Sequence, residues 1–364
     1  MEFQQSTLAL ILFFSMALLT ACGGESDDST SDVFANTDLA NDTTNQVDQS
    51  NTTPEYPKGI YCSCGPTNAT NSSITSSLDV IDYLDGVLVR INWADIQPTA
   101  TTYNWGLLDD QLALAEQYDL EVVLAIMNGP FAPAWLETEG AVFFDYPFRG
   151  ITQSLPLPWD ATYLSQYSAF IAALGERYAD EERISLIHIT NATTNGLEMQ
   201  YVFDPITTNQ FIAAGYTEAK LIESWQTVSD AYASTFPNHL LDLDVHPVFN
   251  SNSVAESVVE YGHTNLGNRF GVFSAWWSVH NATNIYPAMY DLLIEASTES
   301  FASVQMVGST STGLNPLTQQ ELFDALQLAI DSNIKYVEVW NNDITSTPLN
   351  TSLSGYDAQM EQAD

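Results

Sequence analysis

From Gly59 onward the chain alternates short apolar runs with helical patterns, and this alternation restricts the fold more than any other feature. The strand-like runs are Gly59–Ser63, Gly86–Trp93, Glu121–Met127, Ile184–Thr190, Leu240–His246, Phe270–Trp276, Ser303–Val307 and Lys335–Trp340. The clearest helical patterns between them are Leu107–Tyr118, Tyr163–Tyr178, Thr217–Ser234, Tyr286–Ala296 and Thr318–Asp331. Near-continuous β-branched runs read as strands buried on both faces of a parallel sheet. Helical crossovers are what parallel neighbours require. Eight such units suit a closed (β/α)8 TIM barrel. No Gly-rich loop follows the first strand, which argues against a nucleotide-binding doubly wound sheet.

Charge narrows the partners. The 364 residues carry a formal charge of −38 with only eight Lys and Arg. Such a surface repels nucleic acid and anionic lipid. It suits either a saline habitat or an ordinary acidic extracytoplasmic protein. With 45% hydrophobic residues there is ample material for one large core. Three cysteines make no disulfide framework. Cys62 and Cys64 stand two apart on the first strand and read as buried thiols that do not bridge each other. No second His or Cys lies at ligand spacing, so no metal or other cofactor is expected.

The N-terminus carries an address. Thr7 to Leu19 is too short to span a bilayer but suits a signal peptide's apolar core, although no Lys or Arg precedes it. Leu19-Thr20-Ala21-Cys22 resembles a bacterial lipobox, which implies cleavage after residue 21 and acylation of Cys22. Gly23 resembles an outer-membrane rather than an inner-membrane signal. Residues 1–21 are then the signal peptide, and 22–57 a tether rich in Ser, Thr, Asn and Asp. Residues 58–364 form the barrel. The expectation is a monomer, lipid-anchored in the bacterial cell envelope and facing the periplasm or the cell surface.

Gly86-Val-Leu-Val-Arg-Ile-Asn-Trp-Ala-Asp-Ile-Gln-Pro98, followed by Tyr103-Asn-Trp105 and Leu108-Asp109, resembles the second strand of clan A glycoside hydrolases, the cellulase-like and β-galactosidase-like barrels. The resemblance is strongest over residues 86–127, persists over 156–200 and fades beyond. It implies a (β/α)8 enzyme acting on carbohydrate through two carboxylates. Arg90 would lie near the catalytic carboxylate, and as a charge inside an apolar strand it needs a partner. Trp93 would line the floor of the site. Asn128, after the third strand, could bind a sugar hydroxyl or cap a turn.

The chain departs from the clan at two places. The clan carries Asn-Glu at the end of the fourth strand; here Asn191 ends the run and the first acidic residue is Glu198. The clan's nucleophile stands on the seventh strand, where this chain has Gln305. That leaves Glu338, on the eighth strand, as the strand-borne carboxylate. Glu198 and Glu338 are therefore the candidate catalytic pair. If the strand count is one too high, Glu338 is a conventional nucleophile. If it is right, the carboxylates stand far apart and an inverting reaction is expected. His246 follows the fifth strand and could bind substrate or tune a carboxylate. Trp276 and Trp340 offer indole faces for a sugar ring, and of Trp276 and Trp277 only one can point inward.

The leading function is hydrolysis of an oligo- or polysaccharide. The second is a non-catalytic carbohydrate-binding lipoprotein on a degenerate barrel, a reading Gln305 favours. An esterase or lyase is a third, without a Gly-x-Ser-x-Gly elbow to support it.

Overall fold

The structure, a computed structural model, describes residues 55–311 and 315–362. The expected signal peptide, Cys22 and nearly all of the expected tether lie outside those residues. Eight strands form the barrel: β1 (Gly59–Ser63), β2 (Leu84–Asn92), β3 (Glu121–Met127), β4 (Ile184–His188), β5 (Leu240–Asp244), β6 (Phe270–Trp277), β7 (Ala302–Met306) and β8 (Tyr336–Trp340). Each pairs in parallel with the next, and β8 pairs with β1, so the sheet closes. The eight strands expected from the alternation are these eight, each displaced by at most two residues at an end. Closure leaves the eight-stranded ring itself without an open end, which is how a parallel sheet of short strands avoids pairing with other chains.

The outer layer holds α1 (Gly106–Tyr118), α2 (Ala161–Tyr178), α3 (Glu218–Thr235), α4 (Ser253–Leu266), α5 (Pro287–Glu299), α6 (Gln319–Asp331) and α7 (Thr347–Gln362). No long helix follows β1; turns carry the chain from there to β2. Caps set the helix starts: Asp160 accepts from the backbone of Tyr163 at 2.9 Å, and Thr318 with Glu321 forms a capping box. A hairpin, Phe143–Phe148 paired with Ile151–Pro156, stands between β3 and α2.

Strand alternation divides the interior in two. Val87, Val89 and Ile91 of β2 face outward and pack under the helices, beside Leu124 and Ile126 of β3. Leu88, Val123, Ala125, Leu186, Phe273 and Tyr336 face inward and fill the barrel. Each such Val, Leu or Ile side chain contributes about 1.5–3 kcal/mol by leaving water.

One expectation about β1 fails. Cys62 and Cys64 are bonded as a disulfide. The strand ends at Ser63 and the chain turns, so the two Cα atoms come to 5.2 Å. In a continuing strand they would stand about 6.6 Å apart, which is why the sequence spacing argued against a bridge.

Candidate active site

The inward positions become polar toward the C-terminal ends of the strands. Ser63 of β1, Arg90 of β2, His188 of β4, Asp242 and Asp244 of β5, Ser303 and Gln305 of β7, and Glu338 of β8 all sit there. Two connected groups result, one sealed in the barrel and one lining its mouth.

The sealed group centres on His188. Its Nδ1 contacts Asp242, and its Nε2 lies 3.1 Å from Glu338 Oε1. The ring stacks on Phe273 at a centroid distance of 4.2 Å. Asp242 also accepts from Ser303. Glu338 accepts from Tyr336 Oη at 2.7 Å and from the Gln305 amide, which also donates to Ser63 Oγ at 3.1 Å. Burial opposes a charge on His188, but the two carboxylates outweigh it and raise its pKa to about 10. The imidazolium is therefore a permanent cation between Asp242 and Glu338 at neutral pH.

Above this group opens a cavity of about 710 Å³ at the barrel mouth. Arg90, Glu198, His246, Trp276, Gln305 and Trp340 all line it. Among the described residues, Glu198 is the one carboxylate on its wall. A second cavity of about 1000 Å³ shares His246, Tyr286 and Gln200 with the first, so the cleft continues past His246 toward Phe249.

Glu198 reaches the cavity because the loop after β4 folds back. Gly196, at φ +84°, lets that loop lie against Asn128, whose backbone N–H donates to Gly196 O at 3.0 Å. Asn195 Oδ1 accepts from the backbone N–H of Leu197 and of Glu198, at 3.1 and 3.0 Å, and its amide donates to Glu198 Oε1. Glu198 Oε2 lies 3.1 Å from His246 Nε2, and its side chain is 22% exposed. His246 Nε2 is also 3.7 Å from Asp244. Asp244 is anchored by the backbone N–H groups of Met199 and Ala275, at 3.0 and 2.9 Å. Burial raises the Asp244 pKa to about 7; His246 opposes that shift and Glu198 adds to it. For His246, burial disfavours the charged ring, yet Asp244 and Glu198 raise its pKa on balance. Glu198, His246 and Asp244 thus form a connected chain from the cavity wall into the barrel.

Arg90 lies over the Trp340 indole, 5.4 Å from its centroid. Burial lowers its pKa, and Glu338 and Glu198 counter that. Trp340 is fixed by a 2.7 Å bond from its Nε1 to Met306 O, and Trp276 by a 2.8 Å bond to Val245 O. As alternation requires, Trp277 points the other way and donates to Ala325 O of α6 at 2.9 Å.

Four expected site residues are not on the cavity wall. Trp93 is fully buried among Trp135, Tyr163, Tyr167 and Phe170 of the helix layer. The strand ends at Asn92, and Trp93 opens the short helix Trp93–Ile96, which carries its indole into that layer. Asn128 caps the turn at Gly129, accepting at 2.8 Å, and donates to Tyr163 Oη at 2.9 Å. Asn191 is bonded to Tyr163 Oη and Ser224 Oγ, both at 2.9 Å. Glu338 is fully buried beneath Gln305.

His188, Asp242 and Asp244 escaped the sequence reading. The signal was present: the reasoning that a charge in the apolar run of Arg90 needs a partner applies equally to His188 and to both aspartates of Leu240-Leu-Asp-Leu-Asp244.

Residues 76–236, from the turns before β2 through α3, match a family model, Glyco_hydro_42, described as beta-galactosidase. No curated protein sequence matches the chain. Among solved structures, the catalytic domain of a β-amylase from Paenibacillus polymyxa superposes with a TM-score of 0.56 at 10% identity, covering 85% of this chain and 100% of that one. A trimodular GH5_4-subfamily endoglucanase gives a TM-score of 0.56 at 10% identity, over 84% of this chain and 60% of that one. Endo-glycoceramidase II from Rhodococcus sp. gives 0.52 at 14% identity, over 83% and 81%. At these identities the likeness carries the fold. The chain is a (β/α)8 TIM barrel, similar over residues 76–236 to a glycoside hydrolase family.

Proposed function

We infer that the protein is a glycoside hydrolase acting on an oligo- or polysaccharide at the barrel mouth. One observation carries this reading: Glu198, a carboxylate on the cleft wall, is hydrogen-bonded to a histidine and shares that cleft with the indoles of Trp276 and Trp340. Indole faces suit the apolar C–H face of a sugar ring, and the continuation of the cleft past Tyr286 gives room for several sugars. Glu198 would protonate the leaving oxygen, with His246 and Asp244 supplying and returning the proton. Glu338 is the candidate for the second carboxylate, which acts either on water or on the anomeric carbon.

A specific feature favours the second reading, a barrel that binds carbohydrate without cleaving it. Glu338 has both oxygens bound to neighbours and lies behind Gln305, so it meets substrate only if the Gln305 amide turns aside. Purified protein should be screened against a polysaccharide panel, alongside Glu198→Gln and Glu338→Gln. Cleavage abolished by Glu198→Gln supports the hydrolase. Sugar binding without cleavage, retained by both variants, supports the binding protein. Proton NMR of the first-formed product would give the stereochemistry, with inversion expected from carboxylates on opposite strands.

Export and anchoring belong to the same proposal. The Cys62–Cys64 disulfide supports it, since such bonds persist in oxidising compartments. Cys22 would carry the lipid, residues 22–57 the tether, and the barrel would act as a monomer in the cell envelope, at the outer membrane. Replacing Cys22 by Ser should move the protein to a soluble fraction; membrane association unchanged by that replacement would count against the anchor. Light scattering of the soluble form tests the monomer.

A further inference from the structure

The chain has 46 acidic residues against eight Lys and Arg, yet two of those eight, Arg90 and Arg149, line the one cavity that holds Glu198. Neither has an ion-pair partner among the described residues. Elsewhere the arginines are occupied. Arg177 pairs with Asp109 at 2.6 Å, Arg183 donates to Leu120 O at 3.2 Å, and Arg269 donates to Phe236 O and His239 O at 2.8 Å each.

Arg90 Nε is sealed from solvent with no hydrogen-bond partner. A buried donor left unsatisfied is costly, so the site calls for an acceptor. The carboxylates around it are committed: Glu198 to His246 and Asn195, and Glu338 to His188, Tyr336 and Gln305.

Arg149 carries a second anomaly. It and Gly150 form the two-residue turn of the hairpin, with φ of 50° and 82°. Both central positions of such a turn are left-handed, and Asn or Gly fills them at least cost. A residue with a side chain is strained there. In exchange, the guanidinium stands at the cavity rim, 5.0 Å from the Phe148 ring centroid.

We propose that the cavity takes an acidic sugar, whose anionic substituent, a carboxylate or a sulfate, is bound by Arg90 with Arg149 closing from the hairpin. This rests on the carbohydrate reading above and specifies its substrate class. A guanidinium fork matches the paired oxygens of either group, and the sugar ring would lie against Trp340 beside Arg90. A net charge of −38 repels acidic polysaccharide at long range. Two unpaired guanidinium groups at the mouth are what would make this one place receptive.

Calorimetric titration of the purified protein tests the proposal, with three sets of oligosaccharides of matched length: oligouronides, sulfated galactan oligomers, and neutral oligomers. One acidic set should bind about tenfold tighter than its neutral counterpart; which set does so identifies the anion. Arg149→Gln should erode that preference while leaving the affinity for neutral oligomers unchanged, and Arg90→Gln should weaken binding of the acidic set more than that of the neutral set. Arg149 is exposed at a turn, so its variant folds even if the Arg90 variant does not. Equal affinity for acidic and neutral oligomers, or full preference retained in Arg149→Gln, would overturn the proposal. Tight acidic binding with no cleavage of any set would remove the hydrolase reading and leave this one standing. Cleavage of neutral oligomers with no acidic preference would do the reverse.

Discussion

His188 and Glu338 stand on β4 and β8, opposite strands of the ring and 150 residues apart in the chain, and are joined across the barrel axis by a 3.1 Å contact. With Asp242 on the other ring nitrogen, the imidazolium is sandwiched between two buried carboxylates. Taking one partner from a buried pair leaves an uncompensated charge, at a cost of about 3–5 kcal/mol. Glu338→Ala should therefore lower unfolding stability by about that amount, whatever Glu338 does in catalysis. Urea denaturation would read it, and a loss below about 1 kcal/mol would show that the sandwich is not structural.

The same group gives an alkaline limit. The folded-state pKa of His188 is raised from 6.5 to about 10. A raised pKa means that this stability is present in full below 6.5 and is lost as pH rises through about 10. His188→Gln should abolish that part of the alkaline decline seen in denaturation at a series of pH values.

A second decline is expected at lower pH, at the other end of the barrel. Asp85 and Asp357 both accept from the backbone N–H of Ile60 at 3.0 Å. Burial, and then the neighbouring Asp357, push the Asp85 pKa from 3.8 up to about 8. The proton shared there holds α7 against β1. Its contribution is present in full below 3.8 and is lost as pH rises through about 8. The melting temperature should fall across that window, and Asp85→Asn should flatten the fall; an unchanged slope in the variant would exclude the pair as its source.

Glu198 carries the chemical prediction. Glu198→Gln keeps the bond from Asn195 and the shape of the loop but cannot give a proton. Turnover should fall by about 10²–10⁴-fold with little change in binding. An equal loss of binding would mean that Glu198 is a ligand for substrate rather than a proton donor.

Gly196 controls whether that carboxylate reaches the cleft. A Cβ there would meet Asn128 O at 2.5 Å, on a backbone already at φ +84°. Gly196→Ala should displace the loop and lower turnover even though the residue touches no substrate. Wild-type turnover in this variant would show that the loop position is not what presents Glu198.

The ring of eight strands was legible, with their limits to within two residues, because a buried parallel strand is an apolar run and a crossover is a helical one. Glu198 was ambiguous in sequence, since seven residues of polar loop after Asn191 have no period from which to read a direction. Its position depends on Asn195, Gly196 and Asp244, contacts that only the folded chain brings together. Trp93 shows the opposite case. The family likeness suggested the floor of the site, whereas Trp93 opens the short helix after β2 and packs among the aromatic side chains of the helix layer. Local geometry decided.

The interior charges are also divided by sign along the chain. Among inward residues toward the C-terminal ends of the strands, β1 to β4 contribute the cations Arg90 and His188, while β5 to β8 contribute the anions Asp242, Asp244 and Glu338. Each half-ring alone would hold buried charge of one sign without its counterpart, so neither half makes a self-sufficient unit. The barrel is an electrostatic dimer written in one chain: separately expressed halves, divided between α3 and β5, should stay unfolded apart and gain structure only when mixed.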